Sequence, residues 1–170
     1  MSPQVNSDVS IRAAIFPADR EVVSNLFLAY AQSLPVKLDF QGFEEELAGL
    51  PGKYDVSKSG SVILAYTNSE SSPETIIGVV ALRAFSTSNS IPTCELKRLY
   101  LTPSCRGLGV SKGLMDGVIV RARELGYKEM LLDTLSSMTV ARRLYERCGF
   151  VEIGSYYPSV KDAVFYKLIL

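Results

Sequence analysis

Between Val62 and Thr102 three apolar, strand-length runs follow one another: Val62 to Thr67, Thr75 to Phe85 and Cys94 to Thr102. The separating segments, 68–74 and 86–93, are polar, serine-rich and short, so neighbouring strands join through turns. Downstream the rhythm changes. Val110, Leu114, Val118, Ala122 and Leu125 recur at helical spacing, which predicts a helix from about Gly109 to Leu125 closed by Gly126. A short strand, Met130 to Thr134, comes next, then a helix over Thr139–Arg147 ended by Gly149. Strands Phe150–Ile153 and Ala163–Leu170 complete the chain. Upstream, Val9 to Phe16 reads as a first strand ended by Pro17, and Asp19 as the cap of a helix that Pro35 stops. A second helix is expected from about Phe40 to Leu50, and Pro51 to Gly60 reads as an exposed loop. The order β-α-α-β-β-β-α-β-α-β-β predicts an α/β fold, a mixed, mostly antiparallel sheet with helices on its faces.

The 170 residues suffice for one domain with a sizeable core. Lysine plus arginine equals aspartate plus glutamate, so no net charge points to a nucleic acid or a membrane as partner. No apolar run is long enough to span a membrane, and residues 1–10 show no secretory signal. Cys94, Cys105 and Cys148 lack metal-ligand spacing, so no metal site is expected, and they read as reduced thiols of a cytoplasmic protein. The chain has no histidine. That excludes Ser-His-Asp, Cys-His and His-metal chemistry and leaves carboxylates, tyrosines, lysines and backbone amides as tools.

The stretch CELKRLYLTPSCRGLGVS, residues 94–111, carries the chemistry. A strand ends at Thr102-Pro103, and the turn Arg106-Gly107-Leu108-Gly109 opens directly into the long helix. Unpaired amides and the positive end of the helix dipole gather at such a start, and glycines let a phosphate approach the backbone. A tight turn before a helix requires the same glycines without any ligand. Two rival phosphate loops fit worse: a P-loop needs G-K-[ST] where Val110-Ser111-Lys112 stands, and Lys112 occupies the third-glycine position of the dinucleotide fingerprint.

Arg106-x-x-Gly109-x-Ser111 resembles the pyrophosphate motif of the GNAT superfamily of acetyl-CoA-dependent N-acetyltransferases. Downstream, Ala141-x-x-Leu144-Tyr145-x-x-x-Gly149-Phe150 resembles the second signature of that superfamily, in the right order. The resemblance spans residues 62–153 well and the N-terminal helices loosely. It implies a single GNAT domain over 1–170 that binds acetyl-CoA and passes the acetyl group to an amine of a small molecule or peptide. Ser111 replaces the usual Gly or Ala, and Met138 stands where many members carry an Asn. A dimer is the family-level expectation.

The resemblance also implies roles. Backbone groups of Leu99, Tyr100 and Leu101 would pair with the pantetheine arm, and the amides of Arg106, Gly107, Leu108, Gly109, Val110 and Ser111 would take the pyrophosphate. Arg142 would reach the nucleotide or simply be solvated. Tyr145 would protonate the departing thiolate or pack in the core. Glu95 is the candidate base, because a protonated amine cannot attack a thioester. The alternative for Glu95 is an ion pair with Lys97 on its own face of the strand or with Arg98 on the other. Cys105 reads as a bystander, with no histidine to activate it. Glu44-Glu45-Glu46 reads as a solvated run that would otherwise attract a cationic substrate, and Tyr54, Tyr156 and Tyr157 as potential acceptor contacts. Two other classes stay open: a catalytically silent acyl-CoA-binding module, and a nucleotide-binding protein built on the 106–111 turn.

Overall fold

The computed structural model describes residues 9–37 and 42–170. Among them, strands β1 (Val9–Ala13), β2 (Ser61–Ser69), β3 (Ser72–Ala84), β4 (Thr93–Leu101), β5 (Glu129–Leu135), β6 (Val151–Ile153) and β7 (Ala163–Ile169) form one sheet in the order β1-β2-β3-β4-β5-β7-β6. Every neighbouring pair is antiparallel except β4 with β5. The helices are α1 (Arg20–Ser33), α2 (Phe43–Ala48), α3 (Val110–Glu124) and α4 (Thr139–Arg147). The predicted order of elements is the observed one.

Side-chain alternation along the strands builds two cores. Ile63, Ala65, Val80, Leu82, Cys94 and Leu96 face Val110, Leu114, Met115 and Val118 of α3. Val62, Leu64, Val79 and Ala81 face the other way, toward Val23, Leu26 and Phe27 of α1. Each fully buried side chain of this size stabilises the fold by roughly 1.5–3 kcal/mol, so both layers are clamped to the sheet.

Three local readings change. The strands of the β2–β3 hairpin run on to Ser69 and Ser72, because ladder pairing outweighs the polar composition of 68–74. The Asp19 carboxylate makes no cap bond to α1; it accepts from the Ile15 amide (2.6 Å) and from Arg12 (2.7 and 3.1 Å). The helix start expected at Phe40 lies outside the described residues, and α2 runs over Phe43–Ala48. The segment 51–60 after it is exposed only over residues 56–59. Leu50 and Tyr54 are buried in the second core, and a Cβ on Gly60 would lie 2.5 Å from the Tyr54 backbone. Only glycine permits that approach.

Candidate active site

The one parallel pair of the sheet is short. Thr93, Cys94 and Glu95 pair with Glu129, Met130 and Leu131, and beyond Glu95 the two strands part. The cause lies in β4 itself. Its register against β3 slips between Val79 and Ala81, and Arg98 sits at φ 62°. A non-glycine residue in left-handed conformation inside a strand marks a β-bulge. Cys94 and Leu96 face α3, and so do Leu99 and Leu101, so an extra residue has been absorbed between them. Lys97 and Arg98 therefore line one cavity with Glu95. Strict alternation would have sent Arg98 to the opposite face.

A bulge of this kind needs an anchor, and Arg98 supplies it. Its Nε and Nη2 donate to the two carboxylate oxygens of Glu46 at 2.9 and 3.2 Å. The guanidinium lies 5.7 Å from the Tyr30 ring centre and 5.3 Å from that of Phe43. Glu46 also accepts from the Tyr54 hydroxyl (3.0 Å) and pairs with Lys53 (2.9 Å). Burial opposes the charge on Glu46, but the Arg98 and Lys53 contacts prevail and hold its carboxyl below the usual range. Of the acidic run, only Glu44 and Glu45 are exposed, so Glu46 is not a lure for cationic substrates. Tyr54 serves this knot and is not exposed in a loop.

At the far end of the parted strands, the turn before α3 holds Gly107 at φ 78° and Gly109 at φ 79°. Both need glycine for the backbone angle, and a Cβ on either would meet nothing within 4 Å. The first helical bond runs from the Gly113 amide to the Gly109 carbonyl, leaving the amides of Val110 and Ser111 directed off the helix end. The Arg106 guanidinium folds back instead. It donates to the Leu101 carbonyl (3.3 and 3.2 Å) and lies 5.5 Å from the Tyr100 ring centre. Arg106 thus braces the turn and leaves the backbone amides at the helix start as its unspent donors. Cys105 beside it packs against the α3 core.

Glu95, at the point of parting, is 1 % exposed. Its carboxylate accepts from Arg83 Nε (3.2 Å) and the Tyr156 hydroxyl (2.7 Å), and Lys97 Nζ lies 3.4 Å away. The ion pair expected with Lys97 is present; Arg98 is committed to Glu46. Burial and the neighbouring Glu95 carboxylate push the Tyr156 phenol well above its ordinary pKa, so it stays a donor. Arg83 escaped sequence reading because its strand shows only apolar run and turn; nothing local marks its partner 12 residues on. Tyr156 and Tyr157 pack edge-on to each other and to Phe165, which brings the 155–159 segment over the cavity.

Two cavities adjoin along β4. The wider, about 420 Å³, is lined by Glu95, Lys53, Arg83, Lys97, Arg98 and Tyr157 among others. The narrower, about 90 Å³, lies between the parted strands and is lined by Leu99, Asp133, Met138 and Tyr145 among others. Tyr145 is buried against Phe150 and Tyr166, at ring-centre distances of 5.9 and 6.2 Å. Burial holds its phenol protonated far into the alkaline range. Arg142 turns inward: it donates to the Tyr166 hydroxyl (2.9 Å) and the Ser136 carbonyl (3.1 Å) and pairs with Glu152. That network ties α4 to β6 and β7. An unpaired strand edge leading from a carboxylate to a glycine turn with free helix-start amides suits an extended ligand with an anionic end.

Comparison with known proteins agrees with this geometry. The sequence model of the acetyltransferase (GNAT) family matches residues 28–150. An uncharacterised N-acetyltransferase of Schizosaccharomyces pombe is 33 % identical over 95 % of this chain and 95 % of its own. One from Dictyostelium discoideum is 30 % identical over 87 % of this chain and 93 % of its own. Among solved structures, an acetyltransferase of Salmonella typhimurium with its cofactor acetyl-CoA superposes with a TM-score of 0.71 at 18 % identity, over 95 % of this chain and 93 % of that one. The chain belongs to the GNAT acetyltransferase family and is an acyltransferase of that class.

Proposed function

We propose that the protein takes an acetyl group from acetyl-CoA and transfers it to the amine of a small molecule or peptide by direct attack in a ternary complex. The observation that carries this reading is the parting of β4 and β5 at Glu95, with the Gly107–Gly109 turn at one end of the opened edge and a cavity at the other. The free edge of β4 at Leu99 and Tyr100 would pair with the pantetheine arm as an added strand. The amides at the start of α3 would hold the pyrophosphate. When bound, acetyl-CoA supplies an acyl group activated as a thioester.

The chain's own residues handle the protons. An acceptor amine with a pKa of about 10.4 arrives protonated at neutral pH and must lose that proton before it can attack. Glu95 accepts it, directly or through a water, from the wider cavity that it lines. Arg83 and Lys97 fix the position of the carboxylate. Tyr145, held protonated by burial, gives its proton to the sulfur as the carbon–sulfur bond breaks and recovers one from the nitrogen, directly or through water, as the amide forms. The absence of histidine from the chain agrees with a carboxylate and a phenol sharing these tasks.

Calorimetric titration with acetyl-CoA tests the reading, with Gly109→Trp as a blocked-turn control whose folding is verified by its melting curve. Binding that the control loses, followed by amine-dependent release of the free thiol, is the expected result. Absence of binding by folded wild type overturns it.

A further inference from the structure

The wider cavity carries more positive charge than holding Glu95 in place requires. Four cations, Lys53, Arg83, Lys97 and Arg98, line it against one carboxylate. Counting Glu46 behind them, four cations face two anions. Arg98 and Lys53 are engaged with Glu46, but Arg83 gives Glu95 only its Nε. Among the described residues, the two terminal guanidinium nitrogens of Arg83 have no hydrogen-bond partner, and the guanidinium lies 5.1 Å from the Phe85 ring centre.

Resting on the acetyl-transfer reading, we propose that the acceptor is a free amino acid or similar molecule with a carboxylate beside its amine. The carboxylate binds the open fork of Arg83 with Lys97 beside it. The amine then lies against Glu95, so the two charges of the zwitterion meet adjacent opposite charges. A planar fork that can take both oxygens of a carboxylate at once makes Arg83 the main determinant. The surrounding cations also favour the neutral amine, which is the form that attacks. A cavity of about 420 Å³ lies in the range of small-ligand sites. A polyamine would bring further positive charge into a site that is already cationic.

The experiment offers the purified protein, at saturating acetyl-CoA, each common amino acid, the matching amino acid amide, and spermidine, and follows thiol release. At least one free amino acid is expected to be used with a kcat/KM about tenfold or more above that of its amide, the loss expected for one charge-assisted hydrogen bond. Arg83→Gln should bring that acid-to-amide ratio toward one, and Lys97→Gln is read in the same way should the first variant fail to fold. Amides or spermidine used as well as the acids, an unchanged ratio in the folded variants, or no free amino acid used while acetyl-CoA still binds each overturns the inference and leaves the proposed cofactor standing. Failure of the folded wild type to bind acetyl-CoA overturns the transfer reading itself.

Discussion

Glu95 is a buried carboxylate and Glu46 a half-buried one, and each is served by one arginine, one lysine and one tyrosine hydroxyl. They differ in how completely those donors are spent. Arg98, with its side chain 4 % exposed, gives two hydrogen bonds to Glu46 between two aromatic rings. Arg83, 29 % exposed, gives Glu95 one bond, lies 5.1 Å from the Phe85 ring centre and lines a cavity. A closed knot of charges fixes geometry, here the bulge that parts β4 from β5. An open one leaves donors for something else to use. Charge type alone does not separate architecture from chemistry; the unused hydrogen-bonding capacity beside a cavity does.

Breaking the closed knot should have the largest effect. Arg98→Met leaves Glu46 half-buried with its main partner gone, a change that costs about 3 kcal/mol. For a chain of this length that corresponds to a fall in Tm of roughly 10 °C, measured by thermal or urea denaturation. Acetyl-CoA affinity should fall with it, because the bulge sets the free edge. A double-mutant cycle with Glu46→Gln should show coupling of about 1 kcal/mol or more. Strict additivity would mean that the two side chains are not a unit.

The open station should respond the other way round. Glu95→Gln keeps an acceptor for Tyr156 and leaves partly exposed cations to the solvent, so stability should stay within about 1 kcal/mol of wild type. Turnover near neutral pH should fall about a hundredfold and recover in part at high pH, where the amine deprotonates without help. An unchanged rate would make Glu95 a second structural knot and remove the contrast.

The same contrast explains what could be read in the sequence. Apolar periodicity and turn residues gave the order of elements from β1 to β7, because each of those signals is local. The turn at Gly107 and Gly109 was legible for the same reason, since a strand, two glycines and a helix follow one another within one stretch. The bulge was not. Nothing around Arg98 announces a left-handed residue; its cause is Glu46, 52 residues away. Alternation then misplaced Arg98, and the loop around Tyr54 read as exposed because its serines and lysines hide two anchors, Leu50 and Tyr54. Arg83 and Tyr156 reach Glu95 only through the fold, so no local pattern marks them.

Tyr145→Phe sharpens the comparison from the other cavity. The ring is held by Phe150 and Tyr166, so losing the hydroxyl should leave stability and acetyl-CoA affinity close to wild type. Its effect belongs in kcat, which should fall about tenfold if the hydroxyl stabilises the departing sulfur. A loss confined to stability would assign Tyr145 to packing alone.

The smallest effect concerns acid, and it bears on Glu46. Its carboxyl is held below the usual range in the folded protein, against the opposing pull of burial. In the unfolded chain a glutamate takes up its proton at about 4.3. Below that value the unfolded state binds more protons than the folded one, so stability falls as pH drops through the folded-state pKa and is fully present above the unfolded one. Asp19, lowered mainly by its Arg12 hydrogen bonds, contributes in the same direction. Urea midpoints measured from pH 6 downward should therefore decline in acid. Glu46→Gln, although less stable throughout, should decline less steeply because one of the linked groups is gone. Parallel curves would show that Glu46 binds its proton equally well folded and unfolded, the cost of burial cancelling the attraction of Arg98 and Lys53.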